Sequence, residues 1–210
     1  MFAHTRTLLV TCALLLAGAT AHAGTGGSAD RIRNAVASGS QESILAEVER
    51  AEYLMCPDCV GVVTDLLDDE RAEVREVAAW WFARRPSVAA SFIDRSMTDL
   101  TGSDTKLARN AADFLGVFRN AKHVAPLAAA LARTDLGSEA RAHAAIALGR
   151  IGTKGADPAL ASAMSTGDAT VKVAAIQAWL AIRNQTGAAP VAALVQDADV
   201  AVRAEATGAV

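Results

Sequence analysis

Residues 140–152 read ARAHAAIALGRIG, thirteen residues in which alanine, isoleucine and leucine recur every third or fourth place. That spacing puts them on one face of a helix, because side chains four apart lie one above another. The stretch is not unique in the chain. Four others align with it in one register: VREVAAWWFA from Val74, LARNAADFLG from Leu107, VKVAAIQAWL from Val171 and VRAEATGAV from Val202. Their second positions are Arg75, Ala108, Arg141, Lys172 and Arg203, separated by 33, 33, 31 and 31 residues. A fixed period of this length marks a repeat architecture, in which one supersecondary unit is copied along the chain.

The columns have physical meaning. Four residues into every segment stands alanine, at Ala78, Ala111, Ala144, Ala175 and Ala206, where a small side chain lets helices approach closely. Four further on stands a large apolar group: Phe82, Leu115, Leu148, Trp179 and Val210. Each segment is therefore the inner helix of a hairpin, with one apolar stripe. An outer helix precedes it, and prolines mark its start. Pro126, Pro158 and Pro190 each open an apolar run, as suits a residue whose missing N–H has no partner in the first helical turn. Asp157, Asp168 and Asp199 read as N-caps, and Gly152, Gly155 and Gly187 fall where helices should stop. The outer helix expected over residues 92–100 is the least regular, with Phe92, Ile93 and Met97 for its apolar face.

The segment from Ala140 to Gly152, with Val74-Arg75, Leu115-Gly116 and Val202-Arg203, resembles the VR-x-x-A-x-x-ALG-x-IG pattern of HEAT-like repeats of the phycobilisome-lyase type. Residues 107–116 lack the basic second position and residues 171–180 lack the glycine. The resemblance spans residues 60–210 and implies an all-α, right-handed α-solenoid of about five antiparallel hairpins. In such a fold each hairpin is stable only because its neighbours bury its faces. The last repeat is incomplete, stopping at Val210, so the C-terminal edge could self-associate or simply fray.

Outward from the array, residues 41–55 alternate apolar and acidic residues with helical spacing, and 38–59 is expected to be a capping helix followed by a Cys-x-x-Cys turn. Residues 24–37 are expected to be a flexible N-terminal segment, with a short helix from Asp30 to Ser38 as the alternative. Residues 1–23 carry the marks of a signal peptide: Arg6, an apolar run from Thr7 to Gly18, and Ala21-His22-Ala23 before the cleavage point. The expectation is export to the periplasm or outside the cell. A lipoprotein acylated at Cys12 competes with this reading, but Thr11 is a poor residue at that cleavage position and Cys12 lies inside the apolar core.

The chain of 210 residues has a net charge of −3, and loss of Arg6 with the leader takes it to −4. A mildly acidic balance argues against nucleic acid as a partner. Cleavage would leave Cys56, Cys59, His123 and His143, a sparse set for catalysis, and no metal site or cofactor is expected. Cys56-Pro57-Asp58-Cys59 admits a structural disulfide or, with the thiols at a helix start, thiol–disulfide redox chemistry. Haem attachment would need histidine where Val60 stands. The ladder Arg75, Arg141, Lys172, Arg203 is expected to pair internally with Asp68, Asp69, Asp168, Asp197 and Asp199. Trp80 and Trp81 cannot share a face; Trp81 is expected to pack toward Phe114, and Trp80 either packs against the capping helix or, where exposed, is the candidate partner-binding residue. The functional expectation is a protein- or peptide-binding scaffold without catalysis of its own. A Cys56/Cys59 redox protein is the alternative, and tetrapyrrole handling, implied by the lyase resemblance, is a weaker one.

Overall fold

The computed structural model describes residues 27–53, 56–182 and 187–209. The leader expected over 1–23 and the final column residue Val210 lie outside the described residues. Every regular element among the described residues is helical: α1 (Gly27–Ser38), α2 (Gln41–Arg50), α3 (Cys59–Leu66), α4 (Ala72–Ala83), α5 (Pro86–Thr101), α6 (Thr105–Val117), α7 (Val124–Ala132), α8 (Ser138–Ile151), α9 (Asp157–Thr166), α10 (Ala169–Ala181), α11 (Ala189–Ala192) and α12 (Val200–Ala209), with short 3-10 turns at Ala51–Tyr53, Ala121–His123 and Lys154–Ala156.

The helices stack in two rows. The inner row runs α2, α4, α6, α8, α10, α12, each helix packed on the next; in the outer row α5, α7, α9 and α11 pack in turn, and each outer helix leans on the inner helix of its own hairpin. This neighbour-to-neighbour arrangement is an α-solenoid. The five inner helices of the repeats share one register: each begins two residues before its aligned segment, at Ala72, Thr105, Ser138, Ala169 and Val200. Asp104, Asp168 and Asp199 stand in the same place ahead of their helices and accept hydrogen bonds from Leu107 N, Val171 N and Val202 N at 3.0, 3.2 and 3.2 Å. The alanine column is buried throughout, as are Phe82, Leu115, Leu148 and Trp179.

Two close approaches set the spacing of the inner row. A Cβ added to Gly116 would lie 2.9 Å from Ala147 Cα, and one added to Gly149 would lie 2.7 Å from Ala178 Cα. The glycine of each Leu-Gly pair is thus the place where the next inner helix rides against bare backbone.

Four expectations need correction. Residues 27–38 are not a flexible segment: Ala29, Ile32 and Ala35 form a narrow buried stripe, and α1 packs on α2 and α3. The capping element is therefore itself a hairpin, with α1 on the outer side and α2 in the inner row. The outer helix expected over 92–100 starts earlier, with Pro86 in its first turn, and is the longest among the described residues; Ala89, Ser96 and Leu100 join Phe92, Ile93 and Met97 on its packed face. Asp157 does not cap α9, because the preceding 3-10 turn runs directly into that helix and takes the aspartate into its first turn, where it is buried. Finally, Phe114 meets the rings of Phe82 and Phe118, with centroids 6.2 and 4.9 Å apart, and not that of Trp81. Trp81 faces the N-terminal hairpin, donating from Nε1 to Ala51 O at 3.3 Å, with the Arg85 guanidinium 3.6 Å over its ring.

Candidate functional site

The inner row has one face on which residues two helices apart meet. Arg150 on α8 donates to Glu76 on α4 at 2.6 Å, although both helices pack on α6 between them. Packed helices are spaced ~8–10 Å apart, so α4 and α8 can be joined this way only on the side toward which the stack bends. This is the concave face.

Three tiers of charge cross it. At the entry of the helices, Glu70 accepts from Lys106 at 2.5 Å and from Arg109 at 3.1 Å, and Arg109 also donates to Glu139 at 2.7 Å. These hydrogen bonds, that from Lys106 foremost, hold the Glu70 carboxyl below its ordinary pKa. In the middle tier Asp113 is buried; one oxygen accepts from Arg75 Nε and Nη2 at 2.9 and 2.7 Å, and the other lies 2.7 Å from His143 Nδ1. The third tier is the Glu76–Arg150 strap. Sequence reasoning missed Asp113, which lies 38 residues from Arg75 and aligns with a mixed column; only the stacking of α4, α6 and α8 brings the three groups together.

Trp80, the candidate partner-binding residue, is half-buried in this same face, and the Arg84 guanidinium sits 5.1 Å over its ring. Toward the other end, α6, α8 and α10 enclose a concavity of about 640 Å³ lined by Arg119, Ile146, Gly149, Arg150 and Gln177. Arg119 has φ +49° and is exposed. It occupies the place, twelve residues after the start of the aligned segment, that Gly152 fills in the next repeat with φ +72°. A left-handed backbone at a non-glycine residue costs energy that glycine avoids.

The basic ladder turns inward. Arg75 donates to the carbonyls of Asp69 and Glu70 at 2.7 and 2.8 Å, and Arg203 does the same at the same offsets, to Asp197 and Ala198 at 2.7 and 2.9 Å. Each thereby ties its inner helix to the loop before it. Arg141 and Lys172 reach the next repeat instead, at Asp168 (3.5 Å) and Asp197 (2.6 Å). Asp197 is held below its ordinary pKa mainly by the Lys172 hydrogen bond. His123 is buried with Nδ1 3.1 Å from Leu115 O, a packing role.

The second feature lies at the opposite end of the described chain. Cys56 and Cys59 form a disulfide with Cα atoms 5.2 Å apart. Cys59 is the first residue of α3 and fully buried, whereas Cys56 is partly exposed. A groove of about 490 Å³ runs past Cys56, walled by Tyr53, Val60, Trp81, Arg84, Arg85 and Val88. Tyr53 is 87% exposed, the most exposed large apolar side chain described. Arg85 closes the floor by donating to the carbonyls of Ala51 and Glu52 at 3.0 and 2.8 Å. The bridge closes so short a loop that its chain-entropy contribution is only ~2 kcal/mol, against ~4.7 for a hundred-residue loop.

Among the described residues, no group of three or more His, Cys, Asp and Glu is placed to hold a metal ion, and no helix is long and apolar enough to cross a membrane. No curated protein matches the chain. Residues 93–179, from α5 to α10, match the family described as HEAT repeats, which supports a HEAT-like repeat protein and agrees with the two-row stacking of its helices.

Proposed function

We propose that this chain is an exported scaffold that binds a protein or peptide on the concave face of its inner helices. The observation that carries the reading is the pairing of an aromatic anchor with a basic, apolar-floored hollow on one face: Trp80 at one end, and Arg119, Arg150 and Ile146 around the concavity at the other. Tryptophan and arginine are the residues that most often dominate interface energetics. HEAT repeats commonly serve as protein-interaction scaffolds. The three tiers of ion pairs beneath hold α4, α6 and α8 in a fixed relation, so a partner would meet a preorganised surface. Export rests on the sequence of residues 1–23, and the columns shared with phycobilisome-lyase-type repeats refine the family reading. Val200, at the start of α12, is 70% exposed and offers an apolar surface to which a second copy would add.

The test is capture from an exported-protein extract at low salt, with the protein immobilised through its C-terminus, followed by crosslinking in cells. Specific partners should be retained, and Trp80→Ala together with Arg119→Ala should reduce retention at least about tenfold, the loss of two interface anchors. Unchanged retention by that double variant would remove the concave face from the reading. N-terminal sequencing of the protein recovered outside the cytoplasm should begin at Gly24; an intact Met1 would refute processed export.

A further inference from the structure

The Cys56–Cys59 bridge joins residues three apart, so it ties no distant element of the array to another. Its two sulfurs are unequally placed. Cys59 is fully buried at the start of α3, while Cys56 is partly exposed on the wall of the groove. Beside it stand Tyr53, Val60 and Val88, an apolar lining, and the charged Glu52, Arg84 and Arg85. From this geometry we propose that the pair is a thiol–disulfide exchange site acting on the dithiols of a polypeptide bound in the groove. This activity goes beyond the scaffold reading and does not depend on it.

A single exchange, from the bridged pair to the dithiol, balances without a further reagent. A thiolate of the bound polypeptide attacks Sγ of Cys56, the partly exposed, groove-lining residue of the pair. The Cys56–Cys59 bond breaks, and Cys59 leaves as a thiolate at the amino end of α3, where the helix dipole stabilises negative charge. The second thiolate of the polypeptide then attacks its own sulfur in the mixed disulfide and expels Cys56 as a thiolate. The polypeptide gains a disulfide, losing two electrons and two protons; the Cys56/Cys59 pair takes up both and ends as two thiols. Arg84, paired with Glu52 at 3.1 Å, and Arg85, bonded to backbone carbonyls, line the path of the nucleophile, and Tyr53 gives the chain flanking it a ring to lie against.

The test uses the full chain with Cys12→Ser in every protein, so that the pair is the only source of thiols. The oxidised protein is mixed at pH 7 with a reduced synthetic peptide carrying two cysteines between leucines, and peptide oxidation is followed by alkylation and mass shift. The expected rate is at least about tenfold that of oxidised glutathione at equal concentration. Tyr53→Ala, at a residue 87% exposed, should bring the rate down toward the glutathione value while leaving helical circular dichroism and the melting curve unchanged. In a second arm, Cys59→Ser incubated with the oxidised peptide should trap a mixed disulfide mapped to Cys56, and Cys56→Ser should trap none. A wild-type rate no greater than that of glutathione overturns the proposal, whatever the folding of the single-cysteine variants. So does equal trapping at the two cysteines.

Discussion

Replacing Gly149 with alanine adds one methyl group, yet it should destabilise the array. The new Cβ would stand 2.7 Å from Ala178 Cα, 2.9 Å from its Cβ and 3.1 Å from its carbonyl oxygen. Carbon atoms in contact rest ~3.5–4.0 Å apart, so α10 must move away from α8 by most of an ångström. Two of the three opposing atoms are backbone, which no rotamer change can relieve. Overpacking of this kind costs ~1–3 kcal/mol. Against it stands the intrinsic advantage of alanine over glycine inside a helix, up to ~1 kcal/mol. Approach this close to backbone atoms puts the clash in the upper half of that range, ~2–3 kcal/mol, so the net is a loss of ~1–2 kcal/mol, or ~2–8 °C in melting temperature for a chain of this size. Gly61 supplies the control. It lies in α3 with nothing within 4 Å of an added Cβ, so Gly61→Ala keeps the propensity gain without the clash. Thermal melts followed by circular dichroism at 222 nm should place Gly61→Ala at or above the wild type and Gly149→Ala below it. If Gly149→Ala melts as high as the wild type, the contact between the inner helices is not the one described and the reasoning fails.

Asp113→Ala should cost ~3–5 kcal/mol in urea unfolding, because it leaves Arg75 buried without its carboxylate, and the double variant Arg75→Met/Asp113→Leu should recover most of that loss; an additive double variant would count against a buried pair. Lys172→Met should lower the melting temperature at pH 7. Asp197 has its folded pKa depressed below the ordinary aspartate value, so the contribution of this pair is complete above that ordinary value and lost as pH falls through the lower folded one. The gap between wild type and variant should therefore close in strong acid, and a gap that stays constant to pH 2 would contradict the assignment. Arg119→Gly should raise stability by up to ~1 kcal/mol by relieving the left-handed backbone while weakening partner capture; a loss of stability would show that the side chain braces the fold.

The inner helices were legible because their information is local. Anchor, alanine and large apolar residue recur within nine positions, and the aspartate three residues ahead closes the first turn from within the same segment. What stayed hidden depends on residues far apart in sequence. The Arg75–Asp113–His143 cluster joins three helices, and the Glu76–Arg150 strap spans 74 positions; neither leaves a trace until the helices are stacked. Pro86 was obscured by the regular proline spacing of the later repeats, which the second hairpin does not share. The stripe on α1 amounts to Ala29, Ile32 and Ala35, too little apolar surface to stand out before α2 and α3 are in place to receive it. Trp80 and Trp81 showed that they must diverge, but which of the two faced the N-terminal hairpin depended on where Ala51 offered its carbonyl.

The Glu76–Arg150 pair works like the string of a bow. Straightening the run from α4 to α8 would lengthen the distance it spans and break it, whereas deeper bending only slackens it, so the stack is stiffer in one direction than in the other. Dissolved salt weakens a partly exposed ion pair, so ionic strength becomes a dial on the springiness of this stretch. A partner gripped in the hollow would feel that stiffness as resistance to being pulled free.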